Sequence, residues 1–147
     1  MGMPAEELAS TLEHRSGLLG LAGTADMRAI LAAEATGDAA AGLAIGVYLH
    51  RLRASIAAMV AALGGLDVLV FTGGVGERAS SIRARVAADL GYLGVGLDAA
   101  ANRATGGDGD REIGAAGAPV RTLVVAARED LEIARQVRSV LGWPAAG

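Results

Sequence analysis

Apolar and polar positions along the chain resolve into helical stripes separated by two short apolar runs. The clearest stripe is Ile45, Leu49, Leu52, Ile56, Met59 and Leu63, with His50, Arg51, Arg53 and Ser55 filling polar positions between them. Spacings that alternate between three and four residues mark one face of an α-helix. Asp38 starts this helix and Gly64 with Gly65 stops it. At about 26 residues it extends ~39 Å by helical rise, longer than most globular helices.

The other elements follow from the same pattern. Glu6 to Glu13 predicts a short helix, and Ser16 to Gly23, apolar and glycine-rich, predicts a close-packed turn. Thr24 or Asp26 caps a helix running to about Glu34, with Met27, Ile30 and Leu31 on its buried side. Leu66, Val68, Leu69, Val70 and Phe71 predict a strand buried on both faces of a parallel sheet. Ile82, Val86 and Leu90 form the stripe of the next helix, with Gly91 as its C-terminal cap. Tyr92 to Leu97 suits a short strand, and Asp98 to Gly117, with Gly106, Gly107 and Gly109 near its middle, a loop or loose hairpin. Pro119 leads into a second buried strand, Val120 to Ala126. The last helix starts near Arg128, with Glu129 and Asp130 in its positive first turn. Ile133, Val137, Val140 and Leu141 form its buried stripe, and Gly142, Trp143 and Pro144 end it.

Composition narrows the class. The 147 residues suit one domain, 1–147, with no internal repeat or linker. Apolar residues make up 52% but aromatic ones only 3%, so the core is aliphatic. A net charge of -3 without any Lys- or Arg-rich run gives no footprint for nucleic acid. The absence of cysteine excludes disulfides, Cys-based zinc sites and thiol catalysis, and fits a cytoplasmic location. No apolar run approaches the ~20 residues of a membrane span, and the N-terminus is acidic where a signal peptide is basic. Glu6 stands where a myristoylation motif starting at Gly2 requires Ser or Thr.

Candidate chemistry centres on Leu66 to Glu77, LDVLVFTGGVGE. Gly73, Gly74 and Gly76 allow positive φ and close backbone approach, and Ser80 or Ser81 caps the helix that follows. A strand, a glycine turn and a helix start together form an anion cradle, which points to a nucleotide. Two other readings fit the same residues. Glycine turns after strands also arise from packing alone. Gly74 to Ala79 matches G-x-G-x-x-G/A, with Asp98 near the distance of a ribose-binding acid, which suits a dinucleotide-binding oxidoreductase.

Several segments in order resemble one family, the acetate kinases. They are Ser16 to Gly20; Asp26-Met27-Arg28; Val47-Tyr48 with His50 to Arg53; Phe71 to Glu77; Ile82-Arg83; Leu93-Gly94; Leu97-Asp98; Asn102; and Leu131 with Ile133 to Arg135. Phe71-Thr72-Gly73-Gly74-Val75-Gly76-Glu77 is the most specific of them. The resemblance implies an α/β fold, a partial actin-like, Hsp70-type (ribonuclease H-like) kinase domain with a few-stranded sheet and packed helices. It further implies the C-terminal nucleotide-binding part of such an enzyme, incomplete, with the subunits pairing as homodimers.

By the same resemblance, Asp26, Met27 and Arg28 lie by the adenine nucleotide, Gly74, Val75, Gly76, Glu77 and Arg78 line the adenosine pocket, and Glu129 is the Mg2+-site acid. The implied cofactors are ATP or ADP with Mg2+. Acetate or acetyl phosphate enters only if the missing catalytic half is supplied, and propionate and butyrate kinases share the superfamily. The family's phosphoryl-transfer residues have no counterpart here, so the chain alone is expected to be inactive. Two departures stand out: Arg78 replaces the usual Asn, and Ala126-Ala127-Arg128-Glu129-Asp130 replaces the usual Pro-Thr-Asn/Asp-Glu-Glu. A non-catalytic adenine-nucleotide-binding or dimerisation module is the alternative reading.

Overall fold

The structure, a computed structural model, describes residues 3–104 and 109–143. Helices α1 (Ala5–His14), α2 (Gly17–Ala22), α3 (Met27–Ala35) and α4 (Ala39–Leu63) come first. Strand β1 (Val68–Phe71) leads through α5 (Gly73–Arg78) and α6 (Ser80–Asp89) to a 3-10 turn at Gly91–Leu93. Helix α7 (Ala99–Arg103), strands β2 (Arg111–Glu112) and β3 (Arg121–Val124), and helix α8 (Glu129–Val140) complete the order.

The sheet has three strands in the order β1-β3-β2. β1 runs parallel to β3, with Val68 opposite Arg121 and Phe71 opposite Val124, while β2 pairs antiparallel with β3. Single bridges extend it from Val95 to Val120 and from Leu97 to Gly114. Two strand ends thus meet at Phe71 and Val124, and the backbone N–H of Val125 donates to Phe71 O.

The α4 expectation holds where the sequence marked it. Asp38 accepts from Ala41 N at 2.7 Å as the N-cap, and Gly64 closes the helix at φ +76°. The stripe, however, is buried only in its first half: Ile45 and Leu49 are core, whereas Met59 and Leu63 are exposed. Helix α4 packs against α2, α3 and α6, and its second half faces β1 across two cavities of about 270 Å³ each. By length and composition α4 also matches a membrane span, with a mean hydropathy of 1.3 over its most apolar window, 17% of which is buried. The expectation concerned an apolar run, and that stands: α4 matches by length and mean alone, with His50, Arg51 and Arg53 interrupting its apolar residues.

The core joins Ile30, Ala44 and Ile45 to Ile82, Val86, Leu90, Ile113, Val120 and Val124. Each fully buried Ile, Leu or Val of this kind contributes ~1.5–3 kcal/mol relative to exposure.

Other expectations change. β1 is buried on one face only, with Leu69 and Phe71 inward and Val68 and Val70 exposed, because no element among the described residues covers the second face. The Ser16–Gly23 segment is a helix, α2, ended by Gly23 at φ +72°. Neither Ser80 nor Ser81 caps α6; both lie inside it, because α5 interposes a further helical turn after Thr72. Leu90, not Gly91, is the α6 C-cap, and Tyr92 to Leu97 makes isolated bridges rather than a strand. Asp98 to Gly117 contains α7 and β2, and Gly106 and Gly107 lie outside the described residues. The α8 stripe of Ile133, Val137, Val140 and Leu141 is exposed throughout, since α8 buries no residue. Gly142 turns at φ +68° after it, and Pro144 lies outside the described residues.

Candidate functional site

The glycines after β1 serve different ends. Gly73 has φ +71°, a backbone state that favours glycine. Gly76 lies against β1, where a Cβ would come within 3.2 Å of the Phe71 carbonyl carbon. Gly74 has no such constraint: its φ is ordinary and a Cβ there would meet nothing within 4 Å. Backbone conformation explains Gly73 and packing explains Gly76, and Gly74 is left open to an approaching ligand.

Arg83 then fixes α5 in place. Its side chain is 1% exposed and stands on the buried face of α6 beside Ile82, Val86 and Ala87. Nη1 donates to Gly76 O and Glu77 O, each at 2.8 Å. Nε donates to Asn102 Oδ1 at 2.7 Å and Nη2 to Asn102 O at 2.6 Å, while Asn102 Nδ2 donates to Ser80 O at 2.9 Å. All four acceptors of Arg83 are neutral. Burial pushes the guanidinium down from its ordinary value, and the charge of Arg111 acts in the same direction.

The far end of α5 meets the turn between β3 and α8. Glu77 Oε1 accepts from Ala127 N at 2.9 Å, and Asp110 Oδ1 accepts from Ala126 N at 3.2 Å and lies 3.7 Å from Arg128 Nη2. Between α5, α6, α7, β2 and this turn lies a cavity of about 500 Å³. Glu77 and Arg78, two of the residues singled out from the sequence, line it together with Arg128.

Asp26, Met27 and Arg28 do not line this cavity. Met27 is buried at 7% exposure and anchors the start of α3. Asp26 is the α3 N-cap, accepting from Arg28 N at 2.9 Å, and its carboxylate also takes a two-point contact from the same residue's guanidinium, Nε at 3.0 Å and Nη2 at 2.8 Å. The Arg28 side-chain hydrogen bond, then that backbone bond, lowers the Asp26 carboxyl from 3.8 to about 2. Arg28 is raised by the same contact. The cap and the fork together hold a guanidinium fixed at the surface.

Glu129 opens α8 and is exposed. Among the described residues no group of three or more His, Cys, Asp or Glu gathers. A lone carboxylate suits Mg2+ that keeps waters and phosphate oxygens, and does not suit a closed cage of protein ligands. Glu129 fits an ion carried in by a nucleotide.

Sequence reasoning gave no role to Arg83, Asn102 or Arg111. The signal for Arg83 was present: it stands four residues before Ala87 and seven before Leu90, on the same helical face. Asp98, offered as a ribose-binding acid, caps α7 by accepting from Ala101 N at 2.7 Å.

The α/β arrangement with a small mixed sheet is that of acetate and propionate kinases. The crystal structure of Porphyromonas gingivalis acetate kinase superposes with a TM-score of 0.83 at 34% identity, over 95% of this chain and 35% of that one. A propionate kinase from Francisella tularensis gives 0.81 at 35% identity, over 91% of this chain and 34% of its own. Among curated relatives, the acetate kinase of Leifsonia xyli is 48% identical over 135 residues and that of Clavibacter michiganensis 46% over 131. These cover 92% and 89% of this chain but 34% and 33% of the relatives, so the chain spans about a third of their length. The Acetokinase family model matches residues 1–135, and the chain belongs to that family.

Proposed function

We propose that this chain is the C-terminal, nucleotide-binding portion of an acetate kinase-type phosphotransferase, which transfers the γ-phosphoryl group of ATP to acetate to give ADP and acetyl phosphate. The observation that carries the reading is the family match along residues 1–135, which includes the whole β1–α5 turn. Gly74 supports it, since its lack of a side chain serves no packing need. In this reading Gly74, Val75, Gly76, Glu77 and Arg78 face the adenosine, and Asp26, Met27 and Arg28 flank the nucleotide with a preset guanidinium. Glu129 holds Mg2+, which when bound neutralises charge on the phosphates.

The architecture is read as an incomplete actin-like kinase domain that works as a homodimer in the cytoplasm, without membrane or nucleic-acid partners. Uncovered apolar surface supports incompleteness. Val68 and Val70 on β1 and Leu131, Ile133 and Val137 on α8 are exposed, a surface suited to packing against further protein. Phosphoryl transfer needs donor, acceptor and charge-stabilising groups held in line, so the chain by itself is inactive. The cap contact of Asp98 weighs against the dinucleotide oxidoreductase reading. A non-catalytic nucleotide-binding or dimerisation module remains the second reading, supported by the same uncovered surface.

Mixing the chain with the N-terminal two thirds of the Leifsonia xyli relative separates the two. Acetyl phosphate formation above that of either piece alone supports the enzyme reading. A mixture that binds Mg-ADP without turnover supports the module. Turnover by the isolated chain above a heat-killed blank contradicts the assignment of inactivity.

A further inference from the structure

The cavity beside α5 carries more positive charge than its surroundings explain. Arg78, Arg83, Arg103, Arg111 and Arg128 all line it, and among the described residues of its lining Glu77 is the one carboxylate, in a chain whose net charge is -3. The Glu77 carboxylate already accepts from Ala127 N, and Asp110, just outside, lies 3.7 Å from Arg128. Arg83 meets only neutral acceptors. Arg111 Nε is buried and has no hydrogen-bond partner among the described residues. A buried guanidinium N–H without an acceptor is costly, and like charges gathered around one space repel. Both costs vanish if an anion fills the space.

We propose that this cavity is a binding site for a small polyanion of the phosphate or pyrophosphate class, held by Arg78, Arg103, Arg111 and Arg128. Arg83 is its positioning residue, since its own donors are occupied in fixing α5 and α7. Forked guanidinium donors match the oxygens of phosphate groups. The volume of about 500 Å³ is that of a small-molecule site and is too small for a nucleic-acid strand. Three of the four holding arginines come from separate elements, α5, α7 and β2, and the fourth from the turn before α8. A bound anion therefore ties these elements together.

The site shares Glu77 and Arg78 with the proposed adenosine contacts, but three of its four holding arginines, Arg103, Arg111 and Arg128, stand outside that assignment. The probe is inorganic pyrophosphate without Mg2+ at low ionic strength, followed on the full chain by calorimetry and amide NMR. Saturable one-to-one binding is expected, with shifts at Asn102, Arg111 and Arg128. Arg111→Gln and Arg128→Gln should each weaken it about tenfold, as loss of one charge-assisted contact does. Arg111→Lys should recover part of that loss. Circular dichroism of each variant checks the fold, and Arg103→Gln, at an exposed position, gives an independent variant should Arg111→Gln fail to fold.

Displacement of pyrophosphate by ADP but not by adenosine supports the site as the seat of a nucleotide's phosphates. Displacement by neither supports a separate inorganic anion. Absence of saturable binding, or binding unchanged in Arg111→Gln, Arg128→Gln and Arg103→Gln, overturns the proposal. If ADP still shifts Gly74 and Val75 while pyrophosphate fails to bind, the anion site alone is wrong. The reverse pattern defeats only the adenosine assignment.

Discussion

Replacing Arg83 by Met keeps an unbranched apolar stem on the buried face of α6 and removes every donor that fixes α5. Four acceptors lose their partner: Gly76 O, Glu77 O, Asn102 O and Asn102 Oδ1. Hydrogen bonds from a charged donor contribute ~1.5–3 kcal/mol each, so a simple sum reaches ~6–12 kcal/mol. Two effects reduce it. The bonds to Gly76 O and Glu77 O are only partly buried, so water can replace them, and the variant no longer desolvates an unpaired cation. A net loss of ~3–5 kcal/mol remains, a large share of the ~5–15 kcal/mol that a domain possesses. In urea, with a slope of ~2–3 kcal/mol per molar at this chain length, the unfolding midpoint should fall by ~1–2.5 M. Arg83→Lys should recover less than half of this, because one ammonium cannot reach acceptors on both α5 and α7. Arg85→Met is the control: it breaks only the 2.9 Å pair with Glu34 near the surface and should cost about 1 kcal/mol or less. An Arg83→Met midpoint within the error of the Arg85→Met midpoint would refute the role given to Arg83.

Gly76→Ala and Gly74→Ala should diverge. The first places a Cβ 3.2 Å from β1 backbone and should destabilise by ~1–3 kcal/mol, whereas the second should be neutral to slightly stabilising in thermal unfolding while weakening ADP binding. Thr122 is fully buried and its Oγ1 has no partner among the described residues, so Thr122→Val should be neutral or raise stability by up to ~1–2 kcal/mol in the same assay; a clear loss would reveal a hidden partner. Asp26 should titrate at about 2 by carboxyl-carbon NMR, and Arg28→Ala should bring it back towards 3.8. Because its folded value is depressed, the stability it adds is present above about 3.8 and is lost as pH falls through about 2.

How far the sequence could be read depended on whether local chemistry or distant packing decided each element. Asp26, Asp38 and Gly64 are helix boundaries whose side chain or missing Cβ acts within its own turn, so α4 was legible at both ends and α3 at its start. The β1–α5 turn was legible as glycine chemistry, but α5 itself was not, since three glycines in six residues argue against a helix until tertiary contacts hold it. Arg83 supplies those contacts at Gly76 O and Glu77 O, and is itself held 19 residues further on by Asn102, which local pattern cannot reveal. Helix α7 was hidden by its length, five residues, and by a competing reading of its cap, Asp98. The apolar stripe of α8 and the outer face of β1 were read as buried on sound periodicity. They fail because burial needs a covering surface, and among the described residues none is present. Of the residues assigned to the site, Glu77 and Arg78 meet in one cavity, while Asp26 to Arg28 stand apart from it.

Amide NMR of the isotope-labelled chain, with and without Mg-ADP, tests the nucleotide-binding assignment most directly. Dispersed peaks and saturable shifts at Gly74 to Arg78 and at Arg28, reduced in Gly74→Ala, are expected. A well-dispersed spectrum that Mg-ADP leaves unchanged at those positions would contradict that assignment.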